Sequence, residues 1–448
     1  MTRIFYKLLA LLFISVSVQA QSEEGYSQAN YNKEEVYITM RDGVKLYTAI
    51  YTPKASGKHP IMMKRTCYSI RPYGEDQFPN QLGPSPFLME DGFIFVYQDV
   101  RGRWMSEGDF TNMTPNIPGN KHKKTADESS DTFDTIEWLL KYLKGKTNGK
   151  VGQWGISYPG YYTAAALPDA HPALKASSPQ APIGDFFFDD FHHNGAYLQS
   201  YTAAYPVFGY QTDTTKTSWY TDKLMRMRKP DAVDGYDYHL AMGPLKNITE
   251  KIHYDNEFWE QTIEHPNYDE FWQKRSILPH LNDIDHAVMV VGGWFDAEDL
   301  YGPLNIYKTV EKTSPNAYNT IVMGPWSHGD WARERGIQKV NHIYFGDSLS
   351  TFYQKEIERT FFNHFLRDGK GKPNLPEAYM FDTGLKGWQK FDVWPPQIGV
   401  TSLGFKLNGK LVLNETSDTD ASFSYTSDPA KPVPYTSFTE GVTFTPRA

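Results

Sequence analysis

Cysteine is nearly missing: Cys67 is the single one in 448 residues. No disulfide can close within the chain, so packing alone must hold the core. An excess of positive charge is missing as well. With 45 Lys and Arg against 53 Asp and Glu, the formal net charge is −8, which argues against the basic surface that nucleic-acid partners require. Past the first twenty residues no apolar run approaches the roughly 20 residues of a membrane-spanning helix. Internal repeats and extended low-complexity runs are absent too, which leaves a globular chain. One smaller absence matters more. In "GISYPG" the turn that would read G-x-S-x-G around Ser157 lacks its second glycine, because Pro159 stands there and the glycine follows at Gly160.

What is present begins with a leader. Arg3 and Lys7 precede an apolar run from Leu8 to Val18 that ends in small residues at Ala20. This is the pattern of a secretory signal peptide over residues 1–20, and it predicts a secreted or periplasmic protein with no membrane contact after cleavage. The remaining length suits two or three domains. Nothing in the sequence fixes the oligomeric state, and a homo-oligomer stays open.

Strand and helix patterns alternate. Residues 36–52 alternate apolar and polar about Asp42-Gly43, a hairpin pattern. "HPIMMKRTCY", "GFIFVYQDVRG", "GKVGQWGIS", "HAVMVVGGWFD" and "NTIVMGPWSHG" read as buried strands running into polar loops. "DTFDTIEWLLKYL" has helical spacing, with Asp131 as its cap. Such alternation predicts an α/β parallel sheet, with chemistry beyond the carboxyl ends of its strands. The expected fold class is α/β, with a core over 21–184 and 286–370 and an aromatic-rich helical cap over 185–285. Residues 371–448, rich in short strands, turns and prolines, read as a β-sandwich too short to be whole.

The setting of Ser157, strand then turn then helix, is that of a nucleophile elbow. A serine needs a base and an orienting acid, in the order Ser, Asp, His for this kind of sheet. Asp296 follows the strand "AVMVVGGWF", and His328 follows "TIVMGPW". His342 and His364 also lie downstream, but one enters an apolar run and the other a helix. Three acids, Asp296, Glu298 and Asp299, crowd into four residues of "FDAEDLYG". Such crowding is costly unless a cation is bound or a proton retained. A subsite for a substrate ammonium, a Ca²⁺ site and a solvated acidic turn all fit it. Asp189 and Asp190 in "FFFDDF" form a second acidic pair among aromatics.

Together "RTCY", "VYQDVRGRWMSEGDF", "GISYPG", "DAHPALKA", "DDFHHNGAY", "HPNYDEFW", "WFDAEDLYGP" and "MGPWSHG" resemble the family of X-Pro dipeptidyl-peptidases, cocaine esterases and α-amino acid ester hydrolases, the last most of all. The resemblance runs over most of 36–400. It implies an α/β-hydrolase core with inserted helical cap and C-terminal jelly roll. It implies Ser157 as nucleophile, Asp296 as acid and His328 as base, with no metal and no cofactor. It also implies an oxyanion hole of the Tyr158 backbone N–H and the Tyr68 hydroxyl. A substrate-ammonium site of Glu298, Asp299 and Asp190 is implied as well, with Asp189 an alternative to Asp190. The expected activity is cleavage of esters or amides bearing a free α-amino group, as in α-amino acid ester hydrolases and β-lactam acylases. The alternatives are an X-Pro dipeptidyl-peptidase and a secreted binding protein with a dead site. Pro159 disfavours helical angles at the residue before it, so an unusual backbone is expected at Tyr158.

Overall fold

The structure is a computed structural model. It describes residues 25–434 apart from 121–123, 212, 218–234, 334–335, 341, 368, 397–398, 400, 419–421 and 423. The predicted signal peptide and the last fourteen residues of the predicted sandwich lie outside the described residues.

A ten-stranded sheet forms the centre. Its first six strands are β1 (Tyr31–Thr39), β2 (Lys45–Pro53), β3 (His59–Thr66), β4 (Ile94–Asp99), β5 (Thr147–Ser157) and β6 (Leu174–Pro182). Two-residue strands β7 (His192–His193) and β8 (Ala196–Tyr197) pair apart from it. β9 (Ala287–Gly293) and β10 (Asn319–Gly324) return to the sheet, and β11 (Ile337–Val340) and β12 (Ile343–Asp347) form a separate hairpin. β13 (Ala378–Asp382) and β14 (Gly387–Phe391) close the row, giving the order β1-β2-β4-β3-β5-β6-β9-β10-β13-β14. From β4 through β13 every neighbouring pair is parallel. All seven residues of β9 and all six of β10 are buried, as expected of strands covered on both faces.

The hairpin predicted about Asp42-Gly43 is β1–β2, paired from Tyr31↔Pro53 to Thr39↔Lys45. The helix predicted from Asp131 starts earlier. It spans Glu128–Tyr142 and is capped by Asp127, whose carboxylate accepts from the Ser130 N–H while the Ser130 hydroxyl accepts from the Asp127 N–H. Asp131 lies in the first turn instead, ion-paired with Arg65 and Arg101. Both aspartates are capping residues by type, and Asp131 stands closer to the first apolar position, Phe133.

Residues assigned to a C-terminal sandwich divide. β13 pairs parallel with β10, and β14 pairs antiparallel with β13, so both extend the central sheet. Beyond them the described residues hold one two-stranded ribbon, β15 (Leu403–Phe405) with β16 (Leu411–Leu413). Between β6 and β9 lie short helices, including Glu257–Glu264 and Glu270–Gln273, and a π-helical turn Phe187–Phe191. Their aromatic residues, among them Phe186, Phe191, Phe258, Trp259 and Trp272, share one buried cluster with Tyr158, Tyr161 and Tyr162. That packing ties this segment to the helix that follows Ser157.

Candidate active site

Ser157 ends β5 and immediately precedes the helix Tyr158–Ala165. Its backbone stands at φ 68°, ψ −129°. A non-glycine residue with positive φ is strained, and the surroundings must enforce it. Close approach does so here. A Cβ on Gly155 would lie 2.1 Å from the Pro159 carbonyl oxygen, and one on Gly160 would lie 2.6 Å from that of Gln180 in β6. The late glycine is therefore where the helix crosses β6. The strain expected at Tyr158 sits at Ser157: Pro159 occupies the first helical turn, and Tyr158 already belongs to the helix. The Tyr158 side chain is buried, with its hydroxyl donating to Asn112 Oδ1 and accepting from the Met113 N–H. That fixes the peptide whose N–H opens the helix, a place where negative charge is favoured.

Asp296 and His328 come from the loops after β9 and β10. The Asp296 side chain is buried, and its Oδ2 lies 2.9 Å from His328 Nδ1. Its Oδ1 accepts from the N–H groups of Glu298 and Asp299, both at 3.0 Å. The aspartate is thus fixed at both oxygens. Tyr68 follows β3, packs edge-on against Tyr158 at 6.3 Å and lines the same cleft as Ser157. Burial is the main reason its phenol is held well above the usual range, so it stays a hydrogen-bond donor. Tyr68, Ser157, Glu298, His328 and Arg333 line one cleft of about 500 Å³, with Val207 and Phe208 among its apolar walls.

The acids separate into two roles. Asp189 Oδ2 accepts from the N–H groups of Gly184 and Asp185, and its Oδ1 accepts from that of Gly302. It fastens the start of the helix Tyr301–Thr313 to the segment after β6, with both oxygens engaged by backbone N–H groups. Asp190 instead takes a short hydrogen bond from the Tyr201 hydroxyl, and that hydroxyl also lies 2.9 Å from Glu298 Oε1. Asp299 is fully buried, and neither of its carboxylate oxygens has a hydrogen-bond partner. Asp190 Oδ2 is likewise unpartnered. Burial, then the neighbouring carboxylates, raise both Asp190 and Asp299 well above the usual carboxyl range. Tyr201 was not singled out in the sequence. It sits in "YLQSYTAAYPVFGY", where nothing distinguishes it from the other tyrosines.

Glu298, Asp299 and His328 offer donor atoms within 4.8 Å of one another, a spacing that would accommodate a cation. Asp296 engages His328 Nδ1 at 2.9 Å, which leaves only Nε2 for a further partner. The remaining acceptors, all carboxylate oxygens, suit an ammonium group, which brings its own N–H donors.

A strained serine at a strand–helix turn, an Asp–His pair and a tyrosine donor on an α/β sheet define the serine hydrolase class. Comparison with known proteins places the chain within it. Residues 42–330 match the X-Pro dipeptidyl-peptidase (S15) family, and the chain belongs to that family. It is 26% identical over 437 residues to the cocaine esterase of a Rhodococcus species, covering 90% of this chain and 69% of the relative. Among solved structures, an aminopeptidase from a marine-sediment Thaumarchaeota archaeon superposes with TM-score 0.78 at 31% identity, covering 91% of this chain and 66% of its own. A selenomethionine-labelled α-amino acid ester hydrolase superposes with TM-score 0.77 at 29% identity, covering 94% and 69%. The chain thus spans about two thirds of the length of these relatives.

Proposed function

We propose that this protein is an exported serine hydrolase that cleaves esters or amides of substrates with a free α-amino group, through an acyl-enzyme. Ser157 Oγ attacks the carbonyl carbon while His328 takes the serine proton, and Asp296 holds the imidazole by Nδ1. The oxyanion accepts hydrogen bonds from the Tyr68 hydroxyl and the Tyr158 N–H, a donor of this kind contributing about 3–4 kcal/mol. The carbonyl bond to the leaving group then breaks, and the leaving oxygen or nitrogen takes the proton from His328. Water, deprotonated by His328, attacks the acyl carbon and frees Ser157.

One observation carries the substrate class: Asp299, fully buried, has no hydrogen-bond partner at either carboxylate oxygen beside Asp190 and Glu298. Buried acceptors of this kind are uncommon unless a ligand supplies donors. A substrate ammonium supplies three. The α-amino acid ester hydrolase and the aminopeptidase among the similar structures are consistent with that chemistry. The aminopeptidase also favours a second reading, release of N-terminal residues or dipeptides from peptides.

The test compares kcat/KM for a phenylglycine ester, its N-acetyl derivative and an X-Pro anilide, on wild-type and Asp299→Asn protein. The proposal expects the free-amine ester to be preferred by at least about 100-fold over the acetylated one, since a lost charged partner leaves a buried carboxylate unpaired. Asp299→Asn should remove most of that preference. Equal rates with and without the acetyl group would refute ammonium recognition. A faster X-Pro anilide would favour the peptidase reading.

A further inference from the structure

Glu298 does more than line the ammonium pocket. Its Oε1 lies 2.9 Å from the Tyr201 hydroxyl, and its Oε2 lies 3.5 Å from His328 Nε2. Asp296 occupies Nδ1, so Nε2 is the nitrogen that must accept the proton of Ser157. In the free protein that nitrogen faces a carboxylate. We propose that Glu298 holds the base in its protonated, idle form, and that the α-ammonium of the substrate arms it by engaging Glu298. The idea rests on the ammonium reading above and adds a regulation to it.

The surroundings of His328 are almost wholly acidic. Asp296, Glu298 and Asp299 approach from the loop after β9, at 2.9, 3.5 and 3.9 Å. Asp190 acts on it from the π-helical turn, and on its own loop Asp330 is bound to Ser327. Ser157 and Tyr68 complete the cleft wall. Among the described residues that line the cleft, Arg333 is the only other cation, exposed and 3.9 Å from Asp330. Burial alone would push the imidazole down, but Glu298 and then Asp296 outweigh it and hold it raised to about 9. At pH 7 the imidazole is then held mainly in its protonated form.

A bound ammonium reverses this balance. Its N–H groups donate to Glu298, Asp299 and Asp190, and its charge offsets theirs. The imidazolium then releases its proton to solvent, and neutral Nε2 can accept from Ser157. A substrate without an amine leaves the base idle, so the site discriminates in kcat as well as in KM. Glu298 is in this respect a positioning residue that acts through His328.

The experiment is a set of pH–rate profiles on the full chain with a neutral acetate ester and an amino-acid ester of the same alcohol. For wild-type protein, kcat/KM on the acetate ester should rise with a midpoint well above that of ordinary imidazole, near 6.5. The kcat midpoint on the amino ester should lie at least about one unit lower. Glu298→Gln should lower the acetate-ester midpoint by a similar amount and raise that rate at pH 7 roughly tenfold, while raising KM for the amino ester. An unmoved midpoint, or a slower acetate reaction at pH 7, would overturn the arming proposal. If the variant does not fold, identical wild-type midpoints for the two esters would overturn it equally. An unchanged KM for the amino ester in the folded variant would instead overturn the ammonium reading beneath it.

Discussion

Replacing Asp296 by asparagine tests the proposed triad through proton placement. Asp296 Oδ1 is held by two N–H donors at 3.0 Å each, and Oδ2 by His328 Nδ1 at 2.9 Å. An amide fits with little change of shape, but its orientation is decided by those N–H groups. The carbonyl oxygen must take the Oδ1 place, because the reverse would set two buried N–H donors against an NH₂ group, at about 1–3 kcal/mol each. The amide nitrogen then faces His328 Nδ1 and donates to it. That forces the imidazole proton onto Nε2, which can no longer accept from Ser157. A fixed wrong tautomer costs on the order of 10³–10⁴ in kcat, or about 4–5.5 kcal/mol of transition-state stabilisation. The assay is steady-state kinetics on an amino ester, with the unfolding midpoint measured in parallel. An unchanged Tm with a thousandfold loss of kcat is expected. A loss under about tenfold in folded protein would refute the assignment of Asp296 as the residue that orients the base.

Two further outcomes follow from named contacts. Tyr68→Phe should lower kcat on esters about 10²–10³-fold while leaving KM nearly unchanged, because the hydroxyl would act only on the developing oxyanion; a loss confined to KM would contradict that role. Glu358 is buried, with Oε1 accepting from Gln180 and Oε2 unpartnered, and burial raises its carboxyl to about 7. Its folded value lies above the ordinary carboxyl value near 4.3. Its contribution is therefore fully present below about pH 4 and is lost as pH rises through 7. Glu358→Gln should raise stability at pH 8 by about 1–3 kcal/mol and leave it little changed at pH 4, as followed by thermal unfolding at the two pH values.

Much of the site could be read from spacing, because strand ends announce themselves. Apolar runs that stop at a polar residue placed Ser157, Asp296 and His328 beyond the sheet, and the structure brings Ser157 and His328 into one cleft with Asp296 behind. Details set by close approach could not be read. The sequence names the glycines at 155 and 160, but only the crossing with β6 explains why the second comes late and why Ser157, not Tyr158, carries the positive φ. Asp189 and Asp190 are chemically identical neighbours; a π-helical turn aims one at backbone N–H groups and the other at Tyr201. The strands Ala378–Asp382 and Gly387–Phe391 look the same in sequence whether they extend the central sheet or begin a sandwich. Long-range pairing decides between the two, and local pattern carries no trace of it.

The central claim is that Ser157 forms a covalent acyl intermediate with amine-bearing substrates. Intact-protein mass spectrometry after rapid acid quenching of a reaction with an amino-acid ester tests it most directly. The account predicts a mass increase equal to one aminoacyl group, carried by the peptide containing Ser157 and absent from Ser157→Ala. Undiminished turnover by Ser157→Ala, or an adduct on another residue, would contradict it.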